Sequence, residues 1–462
     1  MTRLSRRHFQ QSLLATAAAT ILPSATKGQS APVLHARQGA ARLAPSDYPE
    51  TQIWGYDGSV PGPVLRARQG ERFTRLFRND LPQASSVHWH GIRIENAMDG
   101  VVGMTQPAVE PGAEFLYDFA LPDAGTYWYH PHNRTYEQMA RGLYGALIVE
   151  EADGAPVVDL DEVLLIDDWR LTDDAQIAEG FGNMHDWAHG GRIGNWITVN
   201  GAGNWARSVP RHARMRLRLV NTANARIFQL EARGLEGWVV ALDGMPLDEP
   251  QPLRELTLAP AQRADVFVDV TGETGMEALL VSIERDGGYA IAAFSIGEAR
   301  RPTRLGVPDA LPPNPVPALG PLDTAHRAEL LMEGGAMGGM RSAMMGGEMK
   351  SIRDMAAEGK VWAFNGMADM SDAPLVDAAL GETVRIAMTN DTAWPHGMHL
   401  HGHHFRQIGS DGTLGPLRDT VLMNRGETVE IAFVADNPGD WLLHCHMLEH
   451  AAGGMMTWVR VS

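Results

Sequence analysis

The sequence predicts an all-β protein made of three consecutive β-sandwich or barrel domains. Short runs of valine, leucine, isoleucine and aromatic residues alternate with polar residues at period two, and glycine and asparagine separate the runs. The length of 462 residues fits about three domains of ordinary size. A similar stretch of sequence also recurs three times, which indicates one β-sheet unit used repeatedly.

The repeat is visible in three segments that each reach an asparagine after alternating apolar residues. They are PVLRARQGERFTRLFRNDL from Pro63, SVPRHARMRLRLVNTAN from Ser208 and PLVDAALGETVRIAMTND from Pro374. A second likeness joins only the first and last copies, in LPDAGTYWYHPH at 121–132 and DNPGDWLLHCH at 436–446. Because the middle copy has no such His-x-His, we predict that the terminal domains hold a metal while the middle domain keeps them apart.

Domain boundaries follow from these repeats and from composition. RPTRLGVPDALPPNPVPALGP is typical of an extended linker. Arg6 and Arg7 precede an apolar run too short to span a bilayer, which is the pattern of a twin-arginine export signal; a disordered basic start is the alternative. We expect cleavage between about residues 24 and 31 and a periplasmic or secreted mature protein. The predicted units are a signal peptide at 1–30, a first domain at 31–151, a second at 152–300, a linker with a Met-rich segment at 301–355, and a third domain at 356–462.

The charge balance excludes some classes of partner. Lys and Arg number 39 against 56 Asp and Glu, for a formal net charge of −17. Such an acidic chain is not expected to bind nucleic acid or an anionic membrane surface. We expect a monomer with no stable membrane insertion.

The stretch WLLHCHMLEHAAGGMM contains Cys445, the only cysteine of the chain. A lone cysteine forms no intramolecular disulfide, so it is a buried apolar residue, a nucleophile or a metal ligand. In a strand, His444 and His446 face one side and Cys445 the other, so one strand serves two sites. A thiolate, two imidazoles and a weak thioether make a blue-copper centre, and His450 and Met455 follow at suitable spacing.

Four His-x-His pairs lie in the first and last domains, two in each. Period-two spacing places both imidazoles of a pair on one strand face. Eight imidazoles without a carboxylate or a further thiolate suit three copper ions at two, three and three ligands, whereas zinc needs far fewer. Just before the third pair, His396 completes a fourth, mononuclear copper site with Cys445, His450 and Met455. The pairs are His88 and His90, His130 and His132, His399 and His401, and His444 and His446.

The stretches HWHG, HPH, HGMHLHG and HCHMLEHAAGGM together resemble the signature of the three-domain multicopper oxidases, the laccase-like family, over nearly the whole mature chain. The resemblance implies cupredoxin-like Greek-key domains and four copper ions, of which one is type 1, one type 2 and two type 3. It assigns the copper ligands as follows: type 1, His396, Cys445, His450 and Met455; type 2, His88 and His399; type 3, His90, His130, His132, His401, His444 and His446.

The resemblance implies an oxidase. A donor outside the protein reduces type 1 copper, the electron crosses Cys445 to its flanking histidines, and dioxygen is reduced by four electrons to water. Expected donors are phenols, aromatic amines or metal ions such as cuprous or manganous ion. The alternative is a copper-sequestering or copper-tolerance protein, or a structural relative with little turnover, but the full ligand set favours the enzyme.

Further residues near the motifs bear on proton supply and on the electron donor. Asp99 resembles an acid that supplies protons near the trinuclear cluster in this family, although sequence alone indicates a turn aspartate. Ala451 replaces a glutamate of many bacterial relatives, so a second proton donor is in doubt. Cuprous oxidases often place Asp and Met before the position of His396, where this chain has NDTAW and Asp391 partly substitutes. We interpret the following histidines as ordinary polar residues: His185, His189, His403 and His404.

The segment MEGGAMGGMRSAMMGGEMKSIRDM, at 332–355, has seven methionines and resembles the Met-rich insert of cuprous oxidases. Thioethers are soft ligands for cuprous ion. The alternative is a short lid helix that packs on the third domain, because four of the methionines match one helical face, although interleaved glycines weaken such a helix. These four are Met337, Met340, Met344 and Met345.

Overall fold

The computed structural model describes residues 31–154 and 156–462. The predicted signal peptide lies outside the described residues. The described chain folds into three two-sheet sandwiches, with short helices between the strands, so the all-β prediction is confirmed. Among the residues that the structure describes, no helix is both long and apolar enough to cross a membrane.

The first sandwich consists of two four-stranded sheets. Its elements are β1 (Val33–Ala41), β2 (Thr51–Tyr56), β3 (Leu65–Arg68), β4 (Arg72–Asn79), β5 (His88–His90), a 3₁₀ turn (Asn96–Met98), β6 (Glu114–Ala120), β7 (Gly125–His130), α1 (Thr135–Gln138) and β8 (Gly145–Glu150). The sheet orders are β2-β1-β4-β6 and β3-β8-β7-β5.

The second sandwich pairs a six-stranded with a five-stranded sheet. Its elements are β9 (Leu160–Trp169), α2 (Met184–Ala188), β10 (Trp196–Val199), β11 (Trp205–Arg211), β12 (Arg214–Asn221), β13 (Phe228–Arg233), β14 (Leu235–Leu242), β15 (Met245–Pro252), β16 (Glu255–Leu258), β17 (Arg263–Val270), β18 (Glu277–Glu284) and β19 (Gly287–Ala299). The sheet orders are β10-β9-β12-β17-β14-β15 and β11-β19-β18-β13-β16.

The third sandwich also pairs six strands with five and carries a separate hairpin. Its elements are β20 (His326–Gly334), β21 (Ser342–Met345), β22 (Glu348–Ser351), α3 (Ile352–Ala357), β23 (Trp362–Phe364), β24 (Val376–Ala378), β25 (Thr383–Asn390), β26 (His396–Leu400), β27 (Phe405–Ile408), β28 (Leu414–Arg418), β29 (Thr420–Met423), β30 (Thr428–Val434), β31 (Gly439–Cys445), α4 (Leu448–Ala452) and β32 (Met456–Val461). The sheet orders are β23-β20-β25-β30-β27-β28 and β24-β32-β31-β26-β29, and β21 pairs with β22.

The three sandwiches repeat one topology. The first strand of each unit pairs in parallel with the strand that contains the repeated sequence, in β1 with β4, β9 with β12 and β20 with β25. The pairing of β20 corrects the predicted linker at 301–355, because the third sandwich already begins at His326. Sequence reasoning placed this boundary too late, because the repeated motif covers the third and fourth strands of the first two units and the fifth and sixth strands of the third unit, but never the first strand.

A buried asparagine closes the repeated strand in every unit. Asn79, Asn221 and Asn390 end β4, β12 and β25, and each is fully buried. Each side-chain amide donates to two backbone carbonyls at 2.8–3.0 Å, and its oxygen accepts the backbone N–H two residues onward at 3.0–3.1 Å. These bonds satisfy buried backbone groups as the chain leaves the sheet, so the repeated asparagine has a structural cause.

The Met-rich segment contains a β-hairpin, and none of the four methionines that suggested a helix lies in one, so the helix alternative is wrong for them. Gly346 and Gly347 join β21 to β22, both with positive φ (59° and 79°), as a two-residue hairpin turn requires. Met345 packs with Met355 of α3 in a small buried cluster. The side chains of Met337 and Met349 are exposed instead, at 77% and 64%.

The first and third sandwiches share one continuous apolar core, the second has a core of its own, and a further cluster joins apolar side chains of the first and second. Strand β12 joins the second unit to the first through charge. Its apolar side chains enter the core of the second sandwich, while Arg216 and Arg218 emerge on the other face, buried. Both guanidinium groups bind Asp265, Arg216 also binds Glu151 at 2.7 Å, and Arg218 donates to Thr126 Oγ1 at 3.0 Å. Buried charges are tolerated here because each has a partner.

We predict that Arg216→Met destabilises the protein by about 3–5 kcal/mol, because Glu151 would remain buried without its cation. The matched control is Arg233→Met, whose exposed pair with Glu231 should contribute no more than about 1 kcal/mol. Chemical or thermal unfolding measures both. Equal stability of the two variants would contradict the buried network.

Candidate metal centre

Two strand pairs bring the four His-x-His motifs together where the first and third sandwiches meet. In the first sandwich β5 pairs with β7, so that His88 lies opposite His130. In the third, β26 pairs with β31, so that His399 lies opposite His444. Seven of the eight imidazoles belong to trios whose ligand atoms lie within 4.8 Å of one another, and His446 joins them through its Nε2, 3.4 Å from His130 Nε2. The trios include His88, His90 and His130; His88, His399 and His401; and His132, His401 and His444.

The protein fixes the orientation of these rings through their outer nitrogens. A backbone carbonyl can only accept a hydrogen bond, so an Nδ1 that contacts one carries the proton and leaves the Nε2 lone pair free. This holds for four rings, with Nδ1 to carbonyl oxygen distances of 2.8–3.0 Å: His88 to Asp99, His130 to Pro131, His399 to Asp419 and His444 to Cys445. The Nε2 atoms of His401 and His444 then face each other at 3.1 Å, and those of His130 and His446 at 3.4 Å.

Several buried ring nitrogens of the cluster lack a protein partner. Among the described residues, nothing hydrogen-bonds the following buried atoms: His88 Nε2, His90 Nδ1, His399 Nε2 and His446 Nδ1. Burial lowers the pKa of most rings of the cluster well below the ordinary value, and lowers that of His132 to about 3. Neutral imidazoles with opposed lone pairs are costly to bury, and a soft or borderline cation removes that cost. The cluster therefore fits a set of metal ions.

A second site lies on the other face of β31. The Nδ1 atoms of His396 and His450 are 3.0 Å apart, and Cys445 Sγ lies 3.6 and 3.8 Å from them. The remote nitrogens are occupied, because His396 Nε2 contacts Thr392 Oγ1 at 2.8 Å and His450 Nε2 donates to the His189 carbonyl at 2.6 Å. All three ligand side chains are buried.

The surroundings of the cysteine are apolar. Burial raises the pKa of the Cys445 thiol to about 12 and lowers that of His450 to about 4, so without a metal the trio is neutral. Met455 is fully buried in the same core as Cys445, and its carbonyl accepts the Cys445 N–H at 3.1 Å, whereas Met456 lines an open cleft. The ring of Trp362 lies 4.5 Å from that of His450 and encloses the site.

One strand connects the two sites directly. Cys445 is covalently flanked by His444 and His446, whose rings belong to the eight-histidine cluster. His444 Nδ1 also donates to the carbonyl of Cys445 at 2.9 Å. The thiol and the cluster are thus joined by a short run of covalent bonds and one hydrogen bond.

Two buried carboxylates hold the cluster. Asp99 accepts from His401 Nδ1 through Oδ2 at 2.9 Å and from His88 Nδ1 through its backbone oxygen at 2.8 Å. Asp419, which sequence reasoning missed, lies 3.3 Å from His90 Nε2. Burial alone would raise the pKa of Asp419, but the Arg263 guanidinium and the ring of His90 bring it well below its usual range. The Arg-Asp-Thr sequence at 418–420 shows no periodicity or motif spacing that would predict a contact between Asp419 and a histidine of the cluster.

The remaining predicted residues occupy distinct places. His403 and His404 are buried outside the metal-binding trios; His404 Nε2 contacts the Asp243 carbonyl at 3.3 Å. His185 and His189 lie at α2, above the cysteine site. Ala451 lines a cleft of 880 Å³ that also reaches His130, His132 and His444.

Three sequence profiles, each described as multicopper oxidase, match residues 39–154, 161–294 and 347–462. The chain belongs to the multicopper oxidase family. The chain is similar to Lac15 from a marine microbial metagenome, whose crystal structure is known. The two sequences are 44% identical, and the structures align with a TM-score of 0.77 over 94% of this chain and 100% of Lac15. A multicopper oxidase from Pseudomonas thermotolerans, also known from a crystal structure, is 30% identical in sequence. Its structure aligns with a TM-score of 0.80 over 94% of this chain and 100% of the Pseudomonas chain. Multicopper oxidase MmcO of Mycobacterium tuberculosis is 29% identical over 443 residues, which cover 87% of this chain and 82% of MmcO.

This membership confirms the resemblance drawn from the His-x-His motifs and the cupredoxin-like domains it implied. The multicopper oxidase is an oxidoreductase, and copper is the metal that its family name specifies. The residues present fit copper, because buried neutral imidazoles and one thiol converge with their lone pairs opposed.

We predict that Cys445→Ser removes about one copper ion per chain and abolishes the intense blue absorption and donor oxidation, because serine oxygen is a hard, poor ligand at a soft site. The eight-histidine cluster should keep its copper. Copper analysis and visible spectroscopy test this, and an intense blue band in the variant would place the thiolate centre elsewhere.

Proposed function

We propose that the protein is a laccase-like oxidase that couples one-electron oxidation of phenolic or aromatic donors, or of metal ions, to the reduction of dioxygen to water. The single observation that carries this proposal is Cys445, held between two histidines of the large cluster while its own side chain joins a separate site. A protein that only stored copper would not need its two sites bonded together. Four phenols would release four electrons and four protons, which one dioxygen takes up to form two waters.

We assign four copper ions to the ligands that converge. His396, Cys445 and His450, with Met455 as the axial thioether, would hold type 1 copper, and His88 with His399 would hold type 2. The other six histidines would hold the type 3 pair as His132, His401 and His444 on one side and His90, His130 and His446 on the other. When bound, copper supplies one-electron redox chemistry. This chemistry couples donors that each release one electron to an acceptor that takes up four.

The protein contributes orientation and protons. Backbone carbonyls and two aspartates lock the histidine tautomers, which is how outer partners position metal ligands. We assign Asp99 a role in proton supply, since its buried carboxylate touches His401 and is near His88, with 3.2 Å from Asp99 Oδ1 to His88 Nδ1. Ala451 supplies no acid at its own position, and the carboxylates that line the same cleft belong to Glu358, Asp372 and Asp440.

A metal-ion donor is the second candidate and rests on the Met-rich segment. Ala336, at the start of that segment, donates its N–H to the Ala188 carbonyl at 2.7 Å and accepts from the Trp394 indole at 3.1 Å, beside the type 1 ligands. Exposed thioethers on a segment anchored there would collect cuprous ion.

Copper sequestration with little turnover remains the alternative function. We propose a periplasmic or secreted location, which the protein would reach by twin-arginine export.

We predict that Asp99→Ala slows reoxidation by dioxygen by about 10²- to 10⁴-fold, the range expected for a positioned general acid, and leaves anaerobic bleaching of the blue band by donor nearly unchanged. Stopped-flow absorbance separates these two half-reactions. Asp411→Ala, at an exposed loop aspartate, is the control. Reoxidation at the control rate in Asp99→Ala would remove Asp99 from proton supply.

An oxygen electrode tests the donor classes. The proposal predicts oxygen uptake with 4-methoxyphenol and with cuprous ion, with water as product. Replacing Met337 and Met349 together by Leu should raise the KM for cuprous ion and leave phenol oxidation unchanged, because leucine keeps apolar volume without a soft ligand atom. Met276→Leu, at an exposed methionine of the second sandwich, is the control. No uptake with any donor in copper-loaded protein would favour sequestration.

A further inference from the structure

The C-terminal end of α2 is bonded to the third sandwich by three successive carbonyls. Trp187 O accepts the Trp362 indole N–H at 2.7 Å, Ala188 O accepts the Ala336 N–H at 2.7 Å, and His189 O accepts His450 Nε2–H at 2.6 Å. The last carbonyls of a helix lack partners within the helix, and here donors beside the proposed type 1 ligands supply them. The second sandwich therefore covers the cysteine site.

This cover changes where an electron donor can bind. His396 and His450 are both fully buried, and their remote nitrogens are already bonded to Thr392 and His189. A donor cannot hydrogen-bond either imidazole. His189 is connected to His450 by its own carbonyl and lines a cleft.

A cleft of 570 Å³ lies above this connection, within the range of about 300–1,000 Å³ typical of small-molecule sites. His185 and His189 line it as a parallel pair, with ring centroids 4.3 Å apart and planes at 10°. Trp394 contacts the ring of His189, with ring centroids 5.3 Å apart and planes at 63°. The cleft is thus lined by three adjoining aromatic rings, which suit a planar aromatic molecule.

The tautomer of His189 defines what it recognises. Its Nδ1 contacts the His185 carbonyl at 2.9 Å and so carries the proton, which leaves Nε2 as an acceptor in the neutral ring. No described residue hydrogen-bonds that Nε2. We propose that a phenolic donor binds in this cleft, with its ring against Trp394 and its hydroxyl donating to His189 Nε2.

A metal ion fits the same cleft less well. Parallel stacked imidazoles do not direct two lone pairs to a common point. The nearby carboxylate of Asp186 is already bound by both Arg170 nitrogens at 2.7 and 3.0 Å and by the Asn183 amide at 2.6 Å. The inference deepens the proposed function and rests on it, because it locates the phenol that the oxidase would use.

The test compares 4-methoxyphenol with its methyl ether, 1,4-dimethoxybenzene, which has the same ring but no hydroxyl donor. Binding is measured by calorimetry or saturation-transfer NMR on copper-loaded, fully reduced protein under argon, where no turnover occurs. The wild type should prefer the phenol by about tenfold, the worth of one hydrogen bond. His189→Phe should keep ring contact and lose the preference, and Trp394→Leu should weaken both ligands.

The control is His326→Phe, the same substitution at a half-buried histidine of the third sandwich, and it should bind like the wild type. An unchanged blue band in each variant shows that the type 1 site is intact. Phenol binding by His189→Phe at wild-type affinity, with phenol oxidation retained, would overturn the docking site alone. A wild type that oxidises ferrocyanide but neither binds nor oxidises 4-methoxyphenol would overturn the proposed phenolic donor and the site together.

Discussion

The alternation of side chains along β31 is the constraint on which the rest of the site depends. Successive strand residues face opposite ways, so His444 and His446 enter the eight-histidine cluster while Cys445 enters a separate trio. The two sites are therefore held at a fixed separation by backbone that cannot stretch. Neither site can move without the other, and the shared core of the first and third sandwiches keeps both buried.

Among the described residues, the second sandwich contributes no side chain to the eight-histidine cluster or to the cysteine trio, yet it organises both. Arg263 of β17 is fully buried, donates to Asp419 of the third sandwich at 2.6 and 2.8 Å, and reaches the Thr126 carbonyl of the first at 3.2 Å. Asp419 in turn contacts His90. The charge of Arg263 in the second sandwich therefore helps to orient a histidine ring of the first sandwich. The same sandwich sends α2 over the cysteine site. Its role is thus to position the other two.

The features that could be predicted from the sequence are those that depend on period-two spacing and on residue chemistry. Three repeats implied three sandwiches, and the His-x-His pairs implied the faces of β5, β26 and β31, because strand geometry is local. Asp419, Arg263 and the cover by α2 were not predicted, since they depend on contacts between residues more than 150 positions apart. The helix that was the alternative for the Met-rich segment is wrong for its four methionines, because methionine fits either structure and the paired glycines decide the turn.

The central claim is that this fold holds two copper sites of different kind, bonded through one strand. The most direct measurement is copper content per chain together with electron paramagnetic resonance of the loaded, oxidised protein. The account predicts four copper ions, of which two are detected as distinct type 1 and type 2 signals and two are coupled and silent. A single copper ion per chain, or zinc in the eight-histidine cluster under copper excess, would contradict it.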